Sequence, residues 1–83
     1  MSRAWIEARL AVAERHVMET RASIAFQRIK IESLKGRERA RSLTANMARD
    51  LLQSLKDELA MHLAERERLR HWMAKARERA PEK

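Results

Sequence analysis

In two long stretches of this chain, apolar or small residues return at steps that alternate four and three. The first stretch runs through Ile6, Leu10, Ala13, Val17, Thr20, Ile24, Gln27, Ile31 and Leu34. The second runs through Ala45, Ala48, Leu52, Leu55, Leu59, His62, Arg66, Leu69, Met73, Ala76 and Ala80. Steps of that kind keep one line of side chains facing a partner helix, the a/d seam of a heptad repeat. A strand-based fold needs a turn roughly every 8–12 residues. These 83 residues contain one Gly and one Pro, too few to supply such turns. The expected fold class is therefore all-α, with long helices. The 37% of charged residues fits that class, because coiled coils carry charge at this density on their outer faces.

The two seams are separated by Lys35-Gly36-Arg37-Glu38-Arg39-Ala40-Arg41-Ser42-Leu43-Thr44. Gly36 stands where a helix C-terminus favours a residue tolerant of positive φ, and Lys35 sits at the negative end of the helix dipole. Ser42 or Thr44 offers a side-chain oxygen to cap a second helix, and Pro81 stops it. The reading is one domain over 1–83, with helix one over about 3–35, a turn over about 36–42 and helix two over about 42–80. Folded back antiparallel, positions whose numbers sum to 79 bring seam onto seam. Ile31 meets Ala48, Ile24 meets Leu55, Leu10 meets Leu69 and Ile6 meets Met73. Small Ala13 leaves room for Arg66. The heptad phase also continues through Leu34, Glu38, Arg41 and Ala45, so one unbroken helix is the alternative. A lone Gly costs it only about 1 kcal/mol, but Glu38 and Arg41 weaken its seam.

Helix one carries a second apolar strip away from the seam, in Trp5, Ala8, Val12, Met18, Ala22, Phe26 and Ile29. Helix two has a thinner one in Met47, Leu51, Met61 and Trp72. A helix apolar on two sides has to be covered on two sides. Two helices cannot do that alone, and a chain this short is marginal as a monomer. The expectation is a homodimer closing into a four-helix bundle, with Trp5, Val12, Met18, Phe26, Ile29, Met47, Leu51, Met61 and Trp72 at its interface. A further protein partner for these strips is an open alternative.

Glu58, His62 and Glu65 share one helical face, and antiparallel pairing brings His16 towards His62. Inward carboxylates and imidazoles can hold two metal ions in a four-helix bundle, through Glu-x-x-His on two helices. Here the order is reversed, as His16-x-x-Glu19 and His62-x-x-Glu65. The reading is instead a polar core layer of His16, His62, Arg66 and Glu14 that sets register, with Gln27 a second such position. No cofactor or metal is expected. No Ser or Asp completes a recognisable triad with the histidines, and no Gly-rich phosphate loop is present, so the chain reads as non-enzymatic.

The formal net charge is +7. Basic residues gather at the turn (Lys35, Arg37, Arg39, Arg41) and again near the C-terminus, interleaved with Glu38, Glu65, Glu67 and Glu78. The turn residues are the candidate anion contact, and non-specific nucleic-acid binding is the alternative function. The N-terminal residues lack the apolar core of a signal peptide. The longest apolar run there, Leu10-Ala11-Val12-Ala13, falls far short of the roughly 20 residues of a membrane span. There is no cysteine for a disulfide or a thiolate site. A cytoplasmic protein without membrane contact is expected.

Ala13-Glu14-Arg15-His16-Val17, Gln27-Arg28, Ile31 and Leu34, followed by Leu51-Leu52, His62 and Glu65-Arg66-Glu67-Arg68-Leu69, form a recognisable series. In residue type and spacing over most of residues 10–70 it resembles a family of short uncharacterised bacterial proteins of two helices. The resemblance implies a helical hairpin and carries no activity. The turn here is several residues longer than the family's Gly-x-Asp-Thr-like turn and lacks its Asp, and Thr20 stands where the family often has Gly. The functional expectation is thus a self-associating hairpin serving as a structural or protein-interaction module.

Overall fold

The computed structural model describes residues 2–35 and 43–79. They form two helices, α1 over Arg3–Lys35 and α2 over Leu43–Arg79, and among the described residues there is no strand. Ser2 starts α1 as its N-cap. Its Oγ accepts a hydrogen bond from the Trp5 backbone N–H at 3.1 Å, and its carbonyl accepts one from the Ile6 N–H at 3.2 Å. Such a cap satisfies a donor that has no partner inside the helix. At the other end of α1, Lys35 pairs with Glu32 at 3.5 Å, a cation where the dipole is negative. Gly36, Ser42 and Pro81, read as helix punctuation in the sequence, lie outside the described residues.

The helices run antiparallel against each other. Gln27 reaches Ala48, His16 reaches His62, and Glu14 reaches Arg66 and Arg70, so partners rise along α2 as positions fall along α1. In one unbroken helix Glu14 and Arg66 would be roughly 80 Å apart at 1.5 Å per residue. They lie 3.6 Å apart, so the hairpin and not the continuous helix describes the chain. The result is a rod with principal extents of 68 × 14 × 14 Å.

Its core is a single line of contact. At the free ends Ile6, Ala13, Leu69 and Met73 are buried together, with Leu10, Trp72 and Ala76 packed against them. Two pairs of the sum-to-79 register, Ile6 with Met73 and Leu10 with Leu69, belong to this cluster. Near the turn Ile24, Gln27, Ala45 and Ala48 are buried, and Gln27 Nε2 donates to the Ala48 carbonyl at 2.8 Å. The small side chain of Ala48 lets the amide come that close to the α2 backbone.

Between these two zones α1 buries Val17 and Thr20, while α2 buries no side chain from Arg49 to Arg68. Leu52, Leu55 and Leu59 stay half-exposed there. Two cylinders touch along a line, so a leucine beside that line is covered on one flank only.

Leu69, at 1% exposure the most completely enclosed of the large side chains, should be the most sensitive position of the seam. Leu69→Ala is expected to cost about 2–5 kcal/mol through lost burial and the cavity left behind. Leu59→Ala, already half in solvent, should cost clearly less. Urea unfolding followed by circular dichroism checks the difference.

Candidate interaction faces

Midway along the rod the seam changes chemistry. Arg66 and His62 occupy consecutive seam positions of α2, opposite Ala13 and Val17. Neither can leave its polar head in the seam, and the two side chains exit in opposite directions. Arg66, 19% exposed, runs towards Glu14, with Nε 3.6 Å from Glu14 Oε1. That Nε is buried without a hydrogen bond of its own. Arg70 donates from Nη2 to the same Glu14 oxygen at 3.2 Å and from Nη1 to Glu67 at 3.3 Å. On the other flank His62 lies against His16, ring centroids 4.8 Å apart and planes tilted 46°, with its Nε2 3.4 Å from Glu58 Oε1. Glu65 pairs with Arg68 beside it. Glu14 and His16 are exposed, so the polar layer crosses the seam and ends in solvent on both edges. Among the described residues no three side chains of His, Asp or Glu gather as a metal site.

The apolar strips are laid bare on the surface. Phe26 is 75% exposed, Met61 72% and Met18 71%, and Ile29, Met47, Leu51 and Trp5 are all open to solvent. Val12 and Trp72 are half-covered. Trp72 leans on the Ile6–Leu69–Met73 cluster and so serves the hairpin with part of its ring. The Arg9 guanidinium lies 5.8 Å from the Trp5 ring centroid, a cation–π contact that shields one side of that indole.

On the outer side of α1, opposite the seam, the only charges between Ala4 and Ser33 are Arg15, Glu19 and Glu32. That inverts the usual helical surface, where this side is the most polar. Phe26 is a ridge between two open grooves. One is lined by Ile29, Lys30, Ser33 and Leu34, the other by Ala22, Ser23, Gln27, Leu51 and Leu55. The second groove joins α1 to α2, so the apolar surface is continuous across one edge of the hairpin.

The opposite edge is charged. It carries Glu14, Arg66 and Arg70, and a groove beside them is lined by Ala11, Arg15, Met18 and Arg21. Of the expected anion contacts, Lys35 is exposed at the end of α1, while Arg37, Arg39 and Arg41 lie outside the described residues. Reading charge by runs along the chain singles out Lys35–Arg41 and misses Arg21, Arg28, Arg49 and Lys56, which only the antiparallel register brings to one edge. Comparison with protein-family models, with curated proteins and with solved structures finds no match. What the chain does is therefore read from its own surfaces.

A half-buried guanidinium with an unbonded Nε contributes little net stability, because desolvation offsets the attraction of its partner. Arg66→Leu should leave the thermal midpoint unchanged or higher, by up to about 2 kcal/mol of added stability. A clear drop in the midpoint would show that the polar layer supports the fold instead of specifying register.

Proposed function

We propose that the chain is a non-enzymatic structural or interaction module whose work is self-association, two copies closing their apolar edges into a four-helix bundle. The observation that carries this reading is the bare apolar surface that the hairpin cannot cover by itself. A compact monomer of 9.8 kDa exposes about 5,200 Å² by the usual scaling of area with mass. This chain exposes 6756 Å². Six of the large exposed hydrophobics, all but Met18 beside the charged edge, account for on the order of 740 Å² if each carries about 200 Å² when fully open. A standard specific interface takes about 800 Å² from each partner.

Self-complementarity supports a second copy as the cover. The groove between Phe26 and Leu51 is floored by Ala22 and Gln27, small or flat enough to receive a ridge like Phe26. At the rim α1 carries Arg9 and Lys30, and α2 carries Glu58 and Glu65. Setting α1 of one copy beside α2 of the other brings opposite charges together, in the isologous arrangement typical of twofold dimers. The same closure would cover the half-exposed flank of Leu55, which lines that groove.

Light scattering should give a mass of twice 9.8 kDa. It should persist in about 1 M salt, where charges are screened within about 3 Å. Phe26→Glu combined with Leu51→Glu should reduce the mass to that of one chain. A wild-type monomer at micromolar concentration would sink the proposal.

A further inference from the structure

The charged edge changes character along its length. Glu14 and Arg70, 3.2 Å apart, belong to strips that repeat every seven residues on their helices. One heptad towards the free ends sets Glu7 beside Arg77, again of opposite sign. Stepping towards the turn sets Arg21 beside Leu63, Arg28 beside Lys56, and Lys35 beside Arg49. Every charge in those three pairs is positive. Lys35 has Glu32 at 3.5 Å, but Arg21, Arg28, Arg49 and Lys56 form no ion pair among the described residues. The strips next to them hold Met18, Ala25 and Glu32 on α1, where Glu32 is the one carboxylate and pairs with Lys35, and neutral Asn46, Gln53 and Ala60 on α2. Asp50 and Asp57 sit one strip further round α2, and Asp57 accepts a hydrogen bond from Gln53.

Positions flanking a seam are where helical pairs place opposite charges to stabilise and orient themselves. The free-end half of this edge follows that rule and the turn-end half breaks it. We propose that this half, built by Arg21, Arg28, Arg49 and Lys56, binds the phosphate backbone of nucleic acid. The cations stand in two rows about 10 Å apart from heptad to heptad, at 1.5 Å per residue. From Arg21 to Lys35 the row spans about 21 Å, the length of roughly six base pairs of duplex. A straight, evenly spaced row suits a linear polyanion better than a single phosphate.

A membrane surface is the poorer fit, since it calls for large apolar groups beneath the cations. Among the described residues Met18 is the one large exposed hydrophobic beside these cations, next to Arg21, while Phe26, Met47 and Leu51 lie on the other edge. The proposal does not rest on self-association, because the apolar edge is the one a second copy would cover.

The test is fluorescence anisotropy with a labelled duplex of about 20 base pairs, titrated over a range of salt. Two variants of equal charge are compared: Arg28→Gln/Lys56→Gln on the edge, and Lys75→Gln/Arg79→Gln at the free ends. Wild-type binding should weaken steeply with salt. The edge variant should bind more weakly and flatten the log–log slope by about 2, one unit for each phosphate that is no longer neutralised. The free-end variant should stay within error of wild type. Circular dichroism of the edge variant should show an unchanged or higher midpoint, since facing like charges are removed. Equal weakening in both variants, no salt-dependent duplex binding, or binding only to phosphatidylserine vesicles would each overturn the proposal. Light scattering on the same samples separates its failure from that of the bundle.

Discussion

At the free ends of the hairpin, Ile6 and Leu10 of α1 close over Leu69 and Met73 of α2. This contact holds two helices parallel to one axis and fixes which residues along their whole length can face one another. It is a line and not a layer. Each helix offers one row of side chains to its partner, so every other face must find solvent, a ligand or another chain. The rest of the molecule follows from how the sequence assigns those faces. One edge is given apolar groups in Phe26, Leu51 and Met61, the other charges in Glu14, Arg28, Lys56 and Arg70.

The polar layer shows how a seam tolerates what it cannot bury. Arg66 and His62 keep their aliphatic and ring atoms against α1 while their heads leave by opposite edges. Ala13 makes the first exit sterically feasible. A hydrophobic pair at these positions would avoid the desolvation cost but would give up the contacts with Glu14 and Glu58. With the layer in place, sliding α2 by one heptad would separate Glu14 from both arginines and lift Gln27 off the Ala48 carbonyl.

Much of this was legible in the sequence because it is periodic. The alternation through Ile6, Leu10 and Ala13 identifies the seam without reference to coordinates, and an all-helical chain of two helices follows from it. What escaped was either local to one bond or dependent on register. Ser2 caps α1 through a single hydroxyl, with none of the acidic residues in the first turn that usually announce a helix start. Trp72 reads as an outer residue by strip, yet its bulk reaches back to the Ile6 cluster. Arg28 and Lys56 are 28 positions apart and share an edge only once Glu14 has found Arg70. His16 and Glu14, read as members of a core layer, are its solvent-facing ends.

The two buried zones differ in how much chain must be gathered before they form. Gln27 and Ala48 are separated by 21 positions, whereas Ile6 and Met73 lie at almost opposite ends of the chain. Closing a longer stretch costs more chain entropy, although the penalty grows only slowly with length. Loop closure therefore favours first contact around Ile24, Gln27, Ala45 and Ala48, where one large apolar side chain joins an amide and two alanines. The hairpin is secured at the far end, where the best-packed cluster lies. The cluster that buries Leu69 and Met73 thus lies where the chain is costliest to gather, at the helix ends that would otherwise fray first.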